Sequence, residues 1–271
     1  MYPFIYHRPT NLAEAKRLFR TATDASFLSG GHTLLPALKQ RLAAPSDLVD
    51  LWGMAELQGI ALSGGRLTIG GGMVHAAVAA SEIVRAHIPV LAGLAGSIGD
   101  RHVRHRGTIG GSVANNDPAA DYPSAVLALD GTILTDRRRI AADDYFSGLY
   151  ETAREPDEIV TAIEFPVPLS AGYAKFRNAA SRYALAAVFV ARTISGVRLA
   201  VTGAGASGVF RPAVFEAALN ADFRPEALDD VTIDPDALLS DTAATAAYRA
   251  NLVKVLARRA VARQGVVQIF K

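Results

Sequence analysis

Apolar positions change their spacing along the chain, and each change predicts a new unit. In "FIYHRPTNLAEAKRLF" a short strand-like stretch gives way to Leu12, Ala15, Leu18 and Phe19, spaced to share one face of a helix that Thr10 or Asn11 can cap. "ASFLSGGHTLLPALKQRL" reads as a strand, a Gly-Gly turn and a second short helix, and "DLVDL" as another short strand. The opening residues therefore predict one small β-α-β-α-β subdomain.

After Trp52 the pattern resets. "GIALSGGRLTIGGG" is two short strands joined by a Ser-Gly-Gly turn, a hairpin signature. "HAAVAASEIV", "IPVLAGLAGSIG" and the apolar "YPSAVLALD" read as helices, while "GTILTD" and "EIVTAIEFPVP" read as strands. This unit ends near Pro168, where "FPVPLSAG" makes a break. Strands return in "GYAKFRNAASRYALAAVFVARTISGVRLAVTGAGA", and the stretch from Thr242 to Arg263 is a helix with apolar residues on one side and Arg or Lys on the other. The expected fold class is α+β. It comprises a two-part unit over 1–168, with subdomains of about 1–53 and 54–168, and a smaller C-terminal α+β domain over 169–271.

Composition narrows the function. Half of the residues are hydrophobic (50%) and 20% are charged, which supports sizeable cores and argues against disorder. The net charge is only +2 and the basic residues are interspersed with acids, so nothing points to nucleic acid. The run "DRRR", Asp136 to Arg139, reads as a solvated turn. With no cysteine, this chain holds no disulfide, no thiolate-ligated Fe–S cluster, no Cys-based zinc site and no Cys nucleophile. The start lacks the basic and apolar regions of a signal peptide, and no apolar run is long enough to span a bilayer, so the expected location is cytoplasmic.

Two glycine pairs carry the candidate chemistry. In "SGGHT", Ser29 to Thr33, a strand runs into Gly30 and Gly31 and a helix follows. Successive N–H groups at such a turn make a nest for an anion, and the helix start adds favourable partial charge. The alternative is a plain tight turn with Thr33 as helix cap. "TIGGSVAN", Thr108 to Asn115, has the same ingredients and reads as a second such turn. Replacing Gly111 with Val is expected to block backbone approach there and to resist positive φ. Asp121 can cap the helix that follows or accept a hydrogen bond from a ribose hydroxyl. Two turns on different subdomains suit a dinucleotide, each cradling part of a pyrophosphate.

"FLSGGHTLLPALKQRL" and "IGDRHVRHRGTIGGSVANNDPAADYPSAVLALD" resemble the FAD-binding (medium) subunit of the molybdenum hydroxylases, as in aerobic carbon monoxide dehydrogenase and the flavin domain of xanthine dehydrogenase. The likeness runs nearly the whole chain. It implies the FAD-binding fold of the para-cresol methylhydroxylase type. It also implies that Ser29, Gly30, Gly31, His32 and Thr33 wrap the FAD pyrophosphate from one side and that Thr108, Gly110, Gly111 and Ser112 do so from the other. Ile98 and Gly99 would lie near the flavin ring, Asp121 at the sugar-phosphate region, Val160 at a backbone contact and Lys175 near the FAD. The stretch "RNAASRYALAAV" departs from the Arg-Arg-then-Asp pattern of relatives. The resemblance further implies a small subunit with two [2Fe–2S] clusters and a large molybdopterin subunit, in a heterotrimer that is often doubled. Electrons would pass from the clusters through FAD to an external acceptor, with no catalytic acid or nucleophile here.

Other motifs have plainer readings. "GAGASG", Gly203 to Gly208, matches G-x-G-x-x-G, but Arg211-Pro212 delays the next helix, so a Gly-rich turn is expected rather than a Rossmann loop. His102 and His105 sit among arginines, which disfavour a metal; they are expected to shape the loop before "GTIGG" or to face a partner or acceptor. Trp52 and Tyr183 could touch the cofactor, but aromatic residues near domain joins are usually core or interface. The competing functions are a free-standing flavin oxidoreductase of the same fold and a cofactor-free assembly module. A visible spectrum separates the module from the flavoproteins, and a search for Fe–S and molybdenum partners separates the first two.

Overall fold

The computed structural model describes residues 1–270. Its first sheet is parallel and three-stranded, with β1 (Ile5–His7), β2 (Ala25–Leu28) and β3 (Asp47–Asp50) in the order β1-β3-β2. The crossovers carry α1 (Leu12–Thr21) and α2 (Leu34–Lys39). Asn11 is the residue that caps α1, accepting the Glu14 N–H at 2.9 Å, while Glu14 accepts the Thr10 N–H at 2.8 Å. Ala15 of α1 packs on Val49 and Leu51 with Leu12, Leu18 and Phe19 beside it, the face that the spacing predicts.

The second sheet begins with the hairpin of β4 (Ile60–Ser63) and β5 (Arg66–Gly70), turned by Gly64 and Gly65 at φ 55° and 73°. A run of short helices follows: α3 (His75–Ala80), α4 (Glu82–His87), α5 (Pro89–Ser97), α6 (Arg101–Arg106), α7 (Ile109–Asn115) and α8 (Tyr122–Ala128). The expected helix over "HAAVAASEIV" is thus two, parted at Ser81, whose side chain caps α4 at Val84 N–H. "RHVRHR" is α6, a helix capped by Asp100, where a loop was expected. The sheet closes with β6 (Thr132–Thr135), β7 (Arg139–Ala141) and β10 (Val160–Pro166) in the antiparallel order β4-β5-β10-β6-β7. Between β7 and β10 lie α9 (Ala142–Tyr145) and a small ribbon of β8 (Phe146–Gly148) and β9 (Glu151–Thr152). The "DRRR" turn joins β6 to β7 but is more than solvated. Arg138 pairs with the fully buried Glu158 at 2.9 Å, and Asp136 accepts the Ile159 N–H at 2.7 Å.

The third sheet holds β11 (Ser170–Arg177), β12 (Ala184–Thr193), β13 (Gly196–Thr202) and β14 (Val267–Phe270), in the order β13-β12-β11-β14. One face carries Tyr173, Ala187, Phe189 and Ala200 and merges with the core of the second sheet through Tyr122 and Val126 of α8. The other packs Val188, Val190, Leu199 and Val201 against Phe215 of α10 (Ala213–Ala221) and Leu252, Val253 and Leu256 of α11 (Ala246–Ala262). A sheet buried on both faces explains the unbroken apolar run of β12. Helix α11 starts later than expected, because Asp241 takes the N–H groups of Ala243 and Ala244 into a turn and Thr245 caps the helix at Tyr248. Strand β14 has no counterpart in the sequence reading; it is short, half-buried and parallel to β11. No helix among the described residues is long and apolar enough to cross a membrane.

Candidate functional site

Where β2 ends, the chain turns through Ser29, Gly30 and Gly31 into α2. Gly31 takes φ +73°, open to glycine at little cost. Gly30 has another reason to be glycine. A Cβ there would collide with the Arg106 carbonyl oxygen and sit 2.8 Å from Gly107 Cα. The two glycine-bearing segments are therefore in backbone contact, and Ser29 Oγ lies 3.0 Å from Thr108 Oγ1. Thr33 occupies the N-cap position of α2 without a side-chain capping bond, so the plain-cap reading of this residue does not hold. Among the described residues, the N–H groups of Gly30, Gly31, His32 and Thr33 have no acceptor within the chain.

The second segment is built differently. Thr108 caps α7, its Oγ1 accepting the Gly111 N–H at 3.1 Å. Gly110 and Gly111 form the first turn of a helix rather than a loop, and Gly111 has no positive φ, so that part of the expected Val substitution effect falls away. The N–H of Gly110 donates to Gly71 O at 2.9 Å and that of Ser112 to Thr108 O at 3.0 Å. All three amides are engaged. Gly110 is glycine because its Cβ would lie 2.6 Å from Gly71 O and 2.7 Å from Gly71 Cα, while a Cβ on Gly111 would meet only Thr108 Oγ1, at 2.8 Å.

Between the segments lies a cavity of about 920 Å³, large enough for a sizeable organic ligand. Ser29, Gly30, Gly31, His32, Thr33, Ile98, Gly99, Thr108, Gly110, Gly111, Ser112, Asp121, Val160 and Lys175 all line it, so the structure brings together every residue to which the resemblance gives a cofactor role. Ile98 and Gly99 join α5 to α6, with Gly99 at φ +50° and both carbonyls accepting from the Arg104 guanidinium at 2.9 and 3.3 Å. Val160 opens β10, its carbonyl oxygen packed against Gly71.

Asp121 stands at the start of α8 but does not cap it. Its carboxylate instead accepts from Tyr173 OH and from Lys175 Nζ, the latter 2.9 Å from Oδ2. All three side chains are buried, which pushes the Tyr173 hydroxyl well above the ordinary phenol range. The pair ties α8 to β11, and Lys175 at the wall keeps its charge compensated. The neighbouring wall, Asp117 to Ala120, hangs from β13: Gly203 N–H donates to Pro118 O at 2.8 Å, and Thr202 Oγ1 to Pro118 O and Ala120 O at 3.0 and 2.8 Å. This is the work of the "GAGASG" region, whose following helix starts only after Pro212, as expected for a turn.

Several cavity residues escaped the sequence reading. His75 lines the wall with its ring against Gly107 and 5.3 Å from Tyr122 between centroids, and its Nδ1 is buried without a partner. Burial pushes its pKa down to about 4, against the pull of Asp121. Asp117, whose carboxyl is pushed up by burial, Arg154 and Arg182 also line the cavity. Gly71 was legible in principle, since "GGG" directly after a strand signals close backbone approach. Tyr183 lines the cavity too, whereas Trp52 stacks under the Arg106 guanidinium, 3.8 Å from the ring centroid. His102 and His105 belong to no group of three or more metal-ligating side chains among the described residues.

Residues 2–168 match the model of the FAD binding domain in molybdopterin dehydrogenase. The chain belongs to this family. It is 36% identical to the carbon monoxide dehydrogenase medium chain of Afipia carboxidovorans, with 96% of each chain covered. It is 34% identical to the nicotine 6-hydroxylase medium subunit of Paenarthrobacter nicotinovorans, again with 96% of each covered. Its fold superposes on reconstituted CO dehydrogenase from Oligotropha carboxidovorans with a TM-score of 0.89 at 34% identity, covering 97% of this chain and 98% of that one. The chain is thus an FAD-binding oxidoreductase subunit of the molybdenum-hydroxylase type, with the α+β fold that its resemblance implies.

Proposed function

We propose that the chain is the electron-transferring FAD subunit of a multi-subunit molybdenum hydroxylase. A small subunit with [2Fe–2S] clusters delivers electrons, a large subunit carries molybdopterin, and an external acceptor takes the electrons up. The likeness to named medium chains over nearly the full length supports this, as does the lack of any cysteine that could hold a cluster here. We further propose a dimer of heterotrimers working in the cytoplasm.

The observation that carries the reading is the run of four N–H groups, Gly30 to Thr33, without an acceptor among the described residues, at the wall of a cavity closed on the other side by Gly110 and Gly111. Those donors suit a diphosphate. The hydroxyls of Ser29, Thr108 and Ser112 add polar contacts, and Phe27, Leu28 and Ile98 give an apolar wall for a ring system. FAD supplies the redox chemistry when bound. The protein's residues bind and orient it, and the buried Asp121–Lys175 pair fixes the wall between the second and third sheets. We assign residues 1–168 to the cofactor unit and 169–271 to a C-terminal unit that completes the cavity through Lys175 and Tyr183. The test is the visible absorption spectrum of the purified full chain, followed by heat release of the chromophore. Flavin bands and one FAD per chain are expected. A colourless chain that takes up no FAD contradicts the proposal, and co-purification of Fe–S and molybdenum subunits tests the assembly.

A further inference from the structure

The small net charge conceals a polarised molecule. From Asp222 to Asp241 the chain carries seven carboxylates against one arginine, mostly exposed, on the side of the third sheet turned away from the cavity unit. The opposite sign collects beside the cavity. Helix α6 exposes Arg101, His102, His105 and Arg106 along a segment whose inner residues, Asp100, Val103 and Gly107, line the cavity. Arg8, just after β1, and Arg41, just after α2, are exposed, and Arg182 lines the cavity. Among the described residues none of Arg8, Arg41, Arg101, Arg106 and Arg182 has a carboxylate partner. Elsewhere arginines are neutralised, as Arg139 is by Glu164 and Arg198 and Arg211 are by Asp143.

Exposed aromatic and apolar groups are interleaved with these charges. Tyr2 and Tyr6 are about half exposed at 47% and 51%, Ile5 is 61% exposed, and β1 has an open outer edge because it pairs only with β3. The Arg41 guanidinium lies over Tyr2 and that of Arg106 over Trp52. Tyr6 OH donates to Asp50, whose carboxylate accepts the Trp52 N–H at 2.9 Å, and the Trp52 ring carries the Arg106 guanidinium, so contacts run unbroken from β1 to α6. Arginine, tyrosine and tryptophan are the residue types that dominate protein interfaces. An open strand edge bearing apolar side chains is a feature that proteins cover.

We propose that this face, formed by β1 and the outer side of α6, is the docking site for an acidic protein surface, which it holds against the mouth of the cavity. The unpaired guanidiniums spread outward over a strand and a helix instead of converging, which fits a broad partner rather than a small anion. The acidic stretch at the far side gives the molecule a dipole that turns the basic face toward such a partner during approach. The proposal rests on the function proposed above only for the choice of probe.

The experiment uses the full chain co-expressed with the Fe–S and molybdopterin subunits of its complex. The triple variant Arg8→Glu, Arg41→Glu, Arg101→Glu is compared with Arg17→Glu, Arg85→Glu, Arg263→Glu, three exposed arginines on other surfaces that change the net charge equally. Flavin content is read from the spectrum, so failure of the FAD assignment and failure of the docking face are told apart. The expected result is normal flavin in both variants, with association to the partners weakened about tenfold or more only in the first, and wild-type association falling steeply with added salt. Four results overturn the proposal: equal assembly of both triples, equal loss in both, salt-independent assembly, or cross-links placing every partner away from β1 and α6. A first triple that assembles normally but no longer responds to a small anionic acceptor also overturns it, in favour of an anion site.

Discussion

The dipeptide Gly-Gly occurs at both walls of the cavity, and the two copies do different physical work. At Gly30–Gly31 the chain leaves a strand, takes a positive φ and exposes N–H groups that no acceptor among the described residues uses. At Gly110–Gly111 it begins a helix, keeps ordinary φ, and spends its N–H groups on Gly71 O and Thr108 Oγ1. Both pairs let backbones approach closely, Gly30 against Arg106 and Gly110 against Gly71. The first pair alone also leaves its N–H groups without an acceptor among the described residues. Identical residue pairs thus leave free donors in one place and none in the other, and only their neighbours distinguish them.

The strongest way to break this contrast is Gly110→Val. Its Cβ would press on the Gly71 backbone, which cannot yield, so a loss of about 3 kcal/mol is expected together with loss of flavin, read by denaturant unfolding and absorbance. Gly31→Ala separates the roles more finely. The positive φ costs about 1–2 kcal/mol, and the methyl meets only side-chain atoms, those of Leu35 and Leu28. A fold that survives with clearly weaker FAD binding is expected in a titration of the apoprotein. Thr108→Val removes the cap that holds Gly111 N–H and should cost about 1 kcal/mol; unchanged unfolding would show that the cap does not secure α7. A further test uses pH. His75 is neutral in the folded protein down to about pH 4 but takes a proton near 6.5 when unfolded, so the unfolded chain binds more protons between those values. Stability should therefore fall as pH drops from 6.5 to 4, and His75→Gln should flatten that limb. An unaltered limb in thermal melts would remove His75 from its cause.

Much of this was readable from residue order. Helix α1 follows from Leu12, Ala15, Leu18 and Phe19, and the β4–β5 hairpin from its Gly64-Gly65 turn, because periodicity and turn chemistry are local. The cavity residues were readable through the resemblance, which selected residues that the fold then brought together. What stayed hidden is non-local. Nothing near Asp121 in the chain shows that its carboxylate meets Lys175 and Tyr173, since that pairing depends on β11 crossing behind α8. Gly110 could not be told from a loop glycine without Gly71 lying against it. Strand β14 is too short to carry a pattern and exists because β11 offers it an edge.

A crystal structure of the full chain purified with its flavin tests the central claim most directly. The account predicts the diphosphate within hydrogen-bond distance of the Gly30 to Thr33 amides, with the α7 amides of Gly110 and Gly111 still bonded inside the protein. A diphosphate held by the α7 amides instead, or lying outside this cavity, would contradict it.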